Sequence, residues 1–163
     1  MDWEAFTTKL QATLPSITDR CFLVISAPAG TSYVQFAANS NELTAEVTGP
    51  EFATDLAAHN ADSPAMLAAG WSAPTAASPN WSQTIPLPAL SGEFAALAEQ
   101  CTVALRDTHH IESPDVLRYR AWREPEYQPA GVTWQPERFE QLDPGENPLP
   151  LPILGLLQAD TSS

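Results

Sequence analysis

Between residues 21 and 48 three runs of strand character follow one another, with breaks too short to hold a crossover helix, and this restricts the fold more than any other feature. Cys21–Ser26 is almost wholly apolar and closes on Pro28-Ala29-Gly30, which suits a central strand covered on both faces. Residues 32–38 set Val34, Phe36 and Ala38 on one parity and Tyr33, Gln35 and Ala37 on the other, before a turn at Asn39-Ser40-Asn41. Leu43, Ala45 and Val47 then alternate with Thr44, Glu46 and Thr48 until Gly49-Pro50. Strands joined this closely pair antiparallel, so the three predict a meander.

Helical spacing flanks the meander. Trp3, Phe6, Leu10 and Leu14 recur on one face, Asp2 is placed as N-cap and Pro15 as stop, which predicts a helix over residues 3–13. Short helical pieces are expected over residues 52–59 and 64–69, the second opened by Ser63-Pro64 and closed by Gly70. A short strand over residues 81–85 meets Pro86, which confines it to an edge or ends it. Ser91 opens the clearest helix, lined by Phe94, Leu97, Ala98, Cys101, Ala104 and Leu105 and running to about residue 107. Residues 116–122 alternate Leu117, Tyr119 and Ala121 with Arg118 and Arg120, a strand with a basic outer row.

Two regions are expected: an α+β domain over residues 1–123 and an acidic, proline-rich arm over residues 124–163. Seven of the 16 prolines fall in the arm, and its seven acids face one base, Arg138. It also carries Leu149, Leu151, Ile153, Leu154, Leu156 and Leu157, more apolar weight than a solvating tail needs. Packing along its own domain or a second copy, docking on another protein, and plain disorder all stay open.

Charge narrows the partners. A formal charge of -13, with Lys9 the single lysine, repels phosphate backbones and anionic headgroups, so neither nucleic acid nor a membrane surface is expected as a partner. The start is acidic where a secretory signal would be basic, and the apolar stretch near residues 149–157 is broken by Pro150 and Pro152; the chain is read as cytoplasmic. Cys21 and Cys101 sit in apolar patterns and read as buried free thiols, and the Asn80-Trp81-Ser82 sequon then goes unused.

Chemistry is harder to place. Asp107, His109, His110 and Glu112 gather four potential metal ligands, but adjacent histidines point apart in a regular backbone and a polar joint between helix and strand is expected anyway. Glu42 and Glu46 are too far apart for direct acid-base work, which leaves a solvated sheet face. A nucleophile elbow, a Walker-type loop and a dinucleotide fingerprint are absent, so no catalytic residue, metal site or cofactor is assigned. Arg118, Arg120 and Arg123 form the only basic cluster, able to fork onto a carboxylate or phosphate, or to neutralise this chain's own acids, those of the arm included. Trp71, Trp81 and Trp122 serve either as core or dimer packing or as anchors for a separate partner.

Tyr33-Val34-Gln35-Phe36-Ala37 and Leu43-Thr44-Ala45-Glu46-Val47, with Leu67, Gly70-Trp71, Pro74, Asn80-Trp81, Pro114, Leu117 and Tyr119, resemble a chaperone-like domain of actinobacterial proteins. The element order is similar to that of the class I type III secretion chaperone fold and its YbjN-like relatives, over about residues 1–123. The resemblance implies an antiparallel sheet flanked by helices, a homodimer, and a protein ligand of unknown identity held as an extended segment. The expected function is non-catalytic protein binding, as a chaperone-like or adaptor homodimer. Its candidate contacts are Tyr33, Phe36, Trp71, Trp81, Arg118, Arg120 and Trp122. The alternatives are a small metal-dependent hydrolase around His109 and His110, or a small-ligand regulatory domain with an enclosed apolar pocket.

Overall fold

A computed structural model of the chain describes residues 1–28, 32–48, 63–128 and 130–159. The helix expected over residues 52–59 lies outside the described residues. Helix α1 spans Trp3–Thr13, and the Asp2 carboxylate accepts the Ala5 N–H at 2.7 Å, as the capping pattern predicts. Its Phe6 and Leu10, with Leu14 just beyond, are fully buried.

Strands β1 (Cys21–Ser26), β2 (Tyr33–Ala38) and β3 (Glu42–Val47) form the expected meander, with Leu23 opposite Phe36 and Phe36 opposite Ala45. The short helix α2 (Ser63–Ala68) stops at Gly70, whose φ of +100° a side chain rarely adopts. Strand β4 (Trp81–Pro86) pairs with β3 and lies at the sheet edge, as Pro86 requires. Helix α3 (Ser91–Val103) continues as a π-helical turn to Thr108. Leu90, not Ser91, stands at its N-cap position, with no side-chain cap.

Strand β5 (Arg118–Arg123) pairs antiparallel with β1, and a two-residue strand β6 (Leu157–Gln158) runs parallel to β5. The sheet order is β4-β3-β2-β1-β5-β6, so the described architecture is an α+β open sheet. One hydrophobic cluster joins the inward residues of the sheet to α1 and α3, and the hydroxyls of Thr7 and Thr102, 2.7 Å apart, link the two helices.

Cover on both faces of β1 is not what the structure has. Cys21, Leu23 and Ile25 are buried, whereas Phe22, Val24 and Ser26 are half-buried. The apolar content of this strand reflects lateral cover: Phe22 stacks on Trp122 of the neighbouring strand, with ring centroids 5.2 Å apart and planes 13° from parallel.

Beyond β5 the chain folds back. A short helix α4 (Pro136–Glu140) places Phe139 and Arg138 against Trp134. Glu146 then exchanges backbone hydrogen bonds with Arg123 at 2.8 and 2.9 Å. Gly145, at φ +79°, passes so close that a Cβ there would lie 2.5 Å from the Arg123 carbonyl oxygen. Leu151 and Leu154 join the main core, and the turn Pro152–Leu154 lies against α1.

Candidate functional site

Alternation along each strand divides the sheet into two surfaces. The inward one meets the helices. The outward one presents rows read across the strands: Trp122, Phe22, Ala37 and Thr44 in one, Arg120, Val24, Gln35 and Glu46 in the next. The stacked Phe22 and Trp122 rings contribute about 0.5–1.5 kcal/mol beyond their burial and form a half-buried apolar platform. The Arg120 guanidinium lies 5.6 Å from the Trp122 ring centroid.

Polar groups surround this platform. Gln35 donates to the Glu46 carboxylate at 2.8 Å, the Thr44 and Thr84 hydroxyls lie 3.0 Å apart, and the Asn80 amide donates to the Tyr33 hydroxyl at 3.1 Å. The basic cluster divides by face: Arg118 and Arg120 have the outward parity, and Arg123, opposite Cys21, has the other. Arg123 grips Asp143 through two hydrogen bonds of 2.6 and 3.0 Å, so one of the three arginines does neutralise an acid of the C-terminal region. Arg118 and Arg120 form no ion pair among the described residues. Arg118 donates instead to the carbonyls of Asp115 and Leu117 at 3.1 and 2.9 Å.

The sequence candidates therefore separate. Tyr33, Arg118, Arg120 and Trp122 share the outward surface. Phe36, Trp71 and Trp81 do not: they are only 1, 3 and 3% exposed, packed in the core, and offer no side-chain surface to a partner. Alternation already places Phe36 inward with Val34 and Ala38; Trp71 and Trp81 follow because Ser72 and Ser82 bridge and carry both indoles to the same core.

The joint around His109 also differs from a solvated loop. His109 is buried, with Nδ1 3.2 Å from the Ser32 hydroxyl, while His110 is exposed at φ +56°. The two rings point apart, and among the described residues no three His, Cys, Asp or Glu side chains are grouped to hold a metal ion. Both cysteines are free and buried, and burial pushes the Cys101 thiol well above its ordinary range, which keeps it protonated and unreactive.

Some contributors escape sequence reading. Phe22 enters the platform through a cross-strand pairing that no local pattern shows, although its parity opposite Leu23 marks it as outward. Asp143 is gripped by Arg123 and lies 3.2 Å from the Arg20 guanidinium; these contacts and the Gly145 N–H hold its carboxyl well below the usual carboxylate range. Nothing in its surroundings in sequence distinguishes it from the other acids near it.

A mostly antiparallel sheet with α1 and α3 on one surface and an aromatic-and-arginine platform on the other defines an open-faced α+β domain. The chain belongs to the family described as type III secretion system (YopN, CesT) and YbjN peptide-binding chaperone 3, which matches residues 1–123. Neither a curated protein nor a solved structure matches it. The matched region ends on the last residue of β5 and includes every element of the outward platform. No described helix is long and apolar enough to cross a membrane.

Proposed function

We propose that this protein is a non-catalytic, cytoplasmic chaperone-like module that holds an extended segment of a partner protein against the outward surface of its sheet. The peptide-binding description of its family supports the class of ligand. The observation that carries the reading is Arg120: in a chain of charge -13 it meets no carboxylate among the described residues, yet it sits against the Trp122 and Phe22 stack. A partner segment that pairs an acidic side chain with a neighbouring aromatic or aliphatic one supplies what both halves of that arrangement lack. The guanidinium forks onto the carboxylate, and the rings take the apolar side chain. Pairing of two chains into a homodimer, which the family resemblance implies, belongs to the same reading.

Twelve-residue peptides with an acidic-aromatic centre, titrated against the full chain by tryptophan fluorescence, test it. Arg120→Glu is expected to weaken binding by at least about tenfold, the scale of one charged hydrogen-bonded contact, with an unchanged melting transition. Added salt weakens binding in the parent. Binding that ignores both Arg120→Glu and Trp122→Ala would remove the outward surface from the function. Light scattering of the full chain tests the dimer.

A further inference from the structure

We infer that residues 142–158 are an intramolecular ligand of the β5 edge, seated where an extended partner segment of like chemistry, a carboxylate followed by Leu-x-x-Leu, binds after displacing them. The inference rests on the reading that this chain holds polypeptide, though not on the outward surface of the sheet.

The outer edge of β5 is a row of backbone donors and acceptors, and the C-terminal segment satisfies it piecemeal. Arg123 exchanges both bonds with Glu146, the Ala121 carbonyl accepts the Leu149 N–H at 2.9 Å, and, one residue past the segment, the Tyr119 carbonyl accepts the Ala159 N–H at 2.6 Å. Added main chain on a sheet edge, with side chains in pockets, is how extended peptides are commonly recognised. Side chains are seated as well: Leu151 and Leu154, 7 and 0% exposed, enter the core, and the turn that carries Leu154 lies against α1. The Tyr119 hydroxyl accepts the Leu151 N–H at 2.9 Å and the Gln158 amide at 3.2 Å. At the other end Arg123 and Arg20 hold the Asp143 carboxylate.

Three features mark this as a docked segment rather than one more strand. Pro144, Pro148, Pro150 and Pro152 remove backbone donors, so among the described residues no continuous ladder forms and the only regular pairing is the two residues of β6. Ile153 and Leu157 stay more than half exposed between and beyond the seated leucines. The family match includes all of β5 and none of the segment that closes its edge. A tethered segment acts at a local concentration on the order of millimolar, so a free competitor meets a nearly filled site until the tether's hold is weakened.

A fluorescent peptide of residues 142–158, titrated by anisotropy into the full chain and into its Asp143→Asn and Leu154→Ser variants, tests the inference. The parent should bind weakly. Asp143→Asn, a change outside the core, should bind at least about tenfold tighter as the site becomes vacant more often, and Leu154→Ser tighter still, both with cooperative melting. If neither variant gains affinity while Asp143→Asn still melts cooperatively, residues 142–158 are a fixed part of the fold and the inference is overturned. It also falls if the variants double in mass by light scattering without taking up peptide, because the segment then exchanges between copies. Arg120→Glu added to Asp143→Asn should leave the affinity for this peptide within about twofold, a change below 0.5 kcal/mol. A loss there would put the peptide on the outward surface and overturn the inference, whereas failure of acidic-aromatic peptides alone would remove only the proposed function.

Discussion

In β1 every inward residue, Cys21, Leu23 and Ile25, is buried, while among the described residues from Glu124 onward only Leu151 and Leu154 are. The first region spreads its burial over repeating positions of two helices and five strands. The second attaches more sparsely, through one shared carboxylate, two buried leucines with Leu149 and Leu156 packed beside them, the Tyr119 hydroxyl and a broken row of backbone bonds. Loss of one contact should therefore act on the whole molecule in the first region and on the attachment alone in the second.

Leu23→Ala is the strongest way to challenge that contrast. It empties a fully buried site in a central strand and should cost about 3–5 kcal/mol of global stability by urea unfolding. Leu154→Ala deletes the same atoms at an equally buried site, yet its global cost should stay below about 2 kcal/mol, because the chain can release residues 142–158 and keep the rest. Hydrogen exchange should report that release first, at Leu149, Leu151 and Ala159. Equal costs for the two substitutions would erase the distinction between the regions.

Asp2→Ala sharpens it from the other side. The cap is exposed and local, but α1 belongs to the main core, so about 1 kcal/mol should be lost from the global transition. Acidification should produce a smaller effect, confined to the attachment. Asp143 has its carboxyl lowered by the Arg123 hydrogen bonds and then by the Gly145 N–H, so its contribution is complete above its ordinary value of 3.8 and is lost as pH falls below that. Limited proteolysis by an acid protease should then find residues 124–141 more readily cut at pH 3 than at pH 5. Arg120→Glu, on the outward surface, should shift stability by no more than about 0.5 kcal/mol in the same urea experiment.

The same contrast explains which parts of the molecule could be read from its sequence. Strands β2, β3 and β5 and helix α1 follow from period alone, because a sheet with helices on one surface imposes alternation on each strand. Cys21–Ser26 misleads about its outer face since Phe22 and Val24 are as apolar as the inward residues and find their cover sideways, on Trp122 and the adjoining strands. Composition cannot separate sideways cover from a second layer. Among the candidate contacts, parity alone removes Phe36, whereas Trp71 and Trp81 needed the Ser72 and Ser82 bridge to fix their direction. The attachment of the C-terminal segment is least visible, because Asp143 and Leu151 owe their partners to residues 20, 119 and 123, and Leu154 owes its cover to the core beside α1.

Gly145 gives this attachment an unusual weak point. The backbone reaches the end of β5 only because nothing projects from the α-carbon there, and the nearest obstacles, the Arg123 oxygen and the Pro125 nitrogen, belong to main chain that has little room to retreat. A single methyl group at that spot would work as a wedge, prising the tether outward while every charge and every leucine stayed in the chain. The fit of the tail thus depends on one empty volume as much as on any contact.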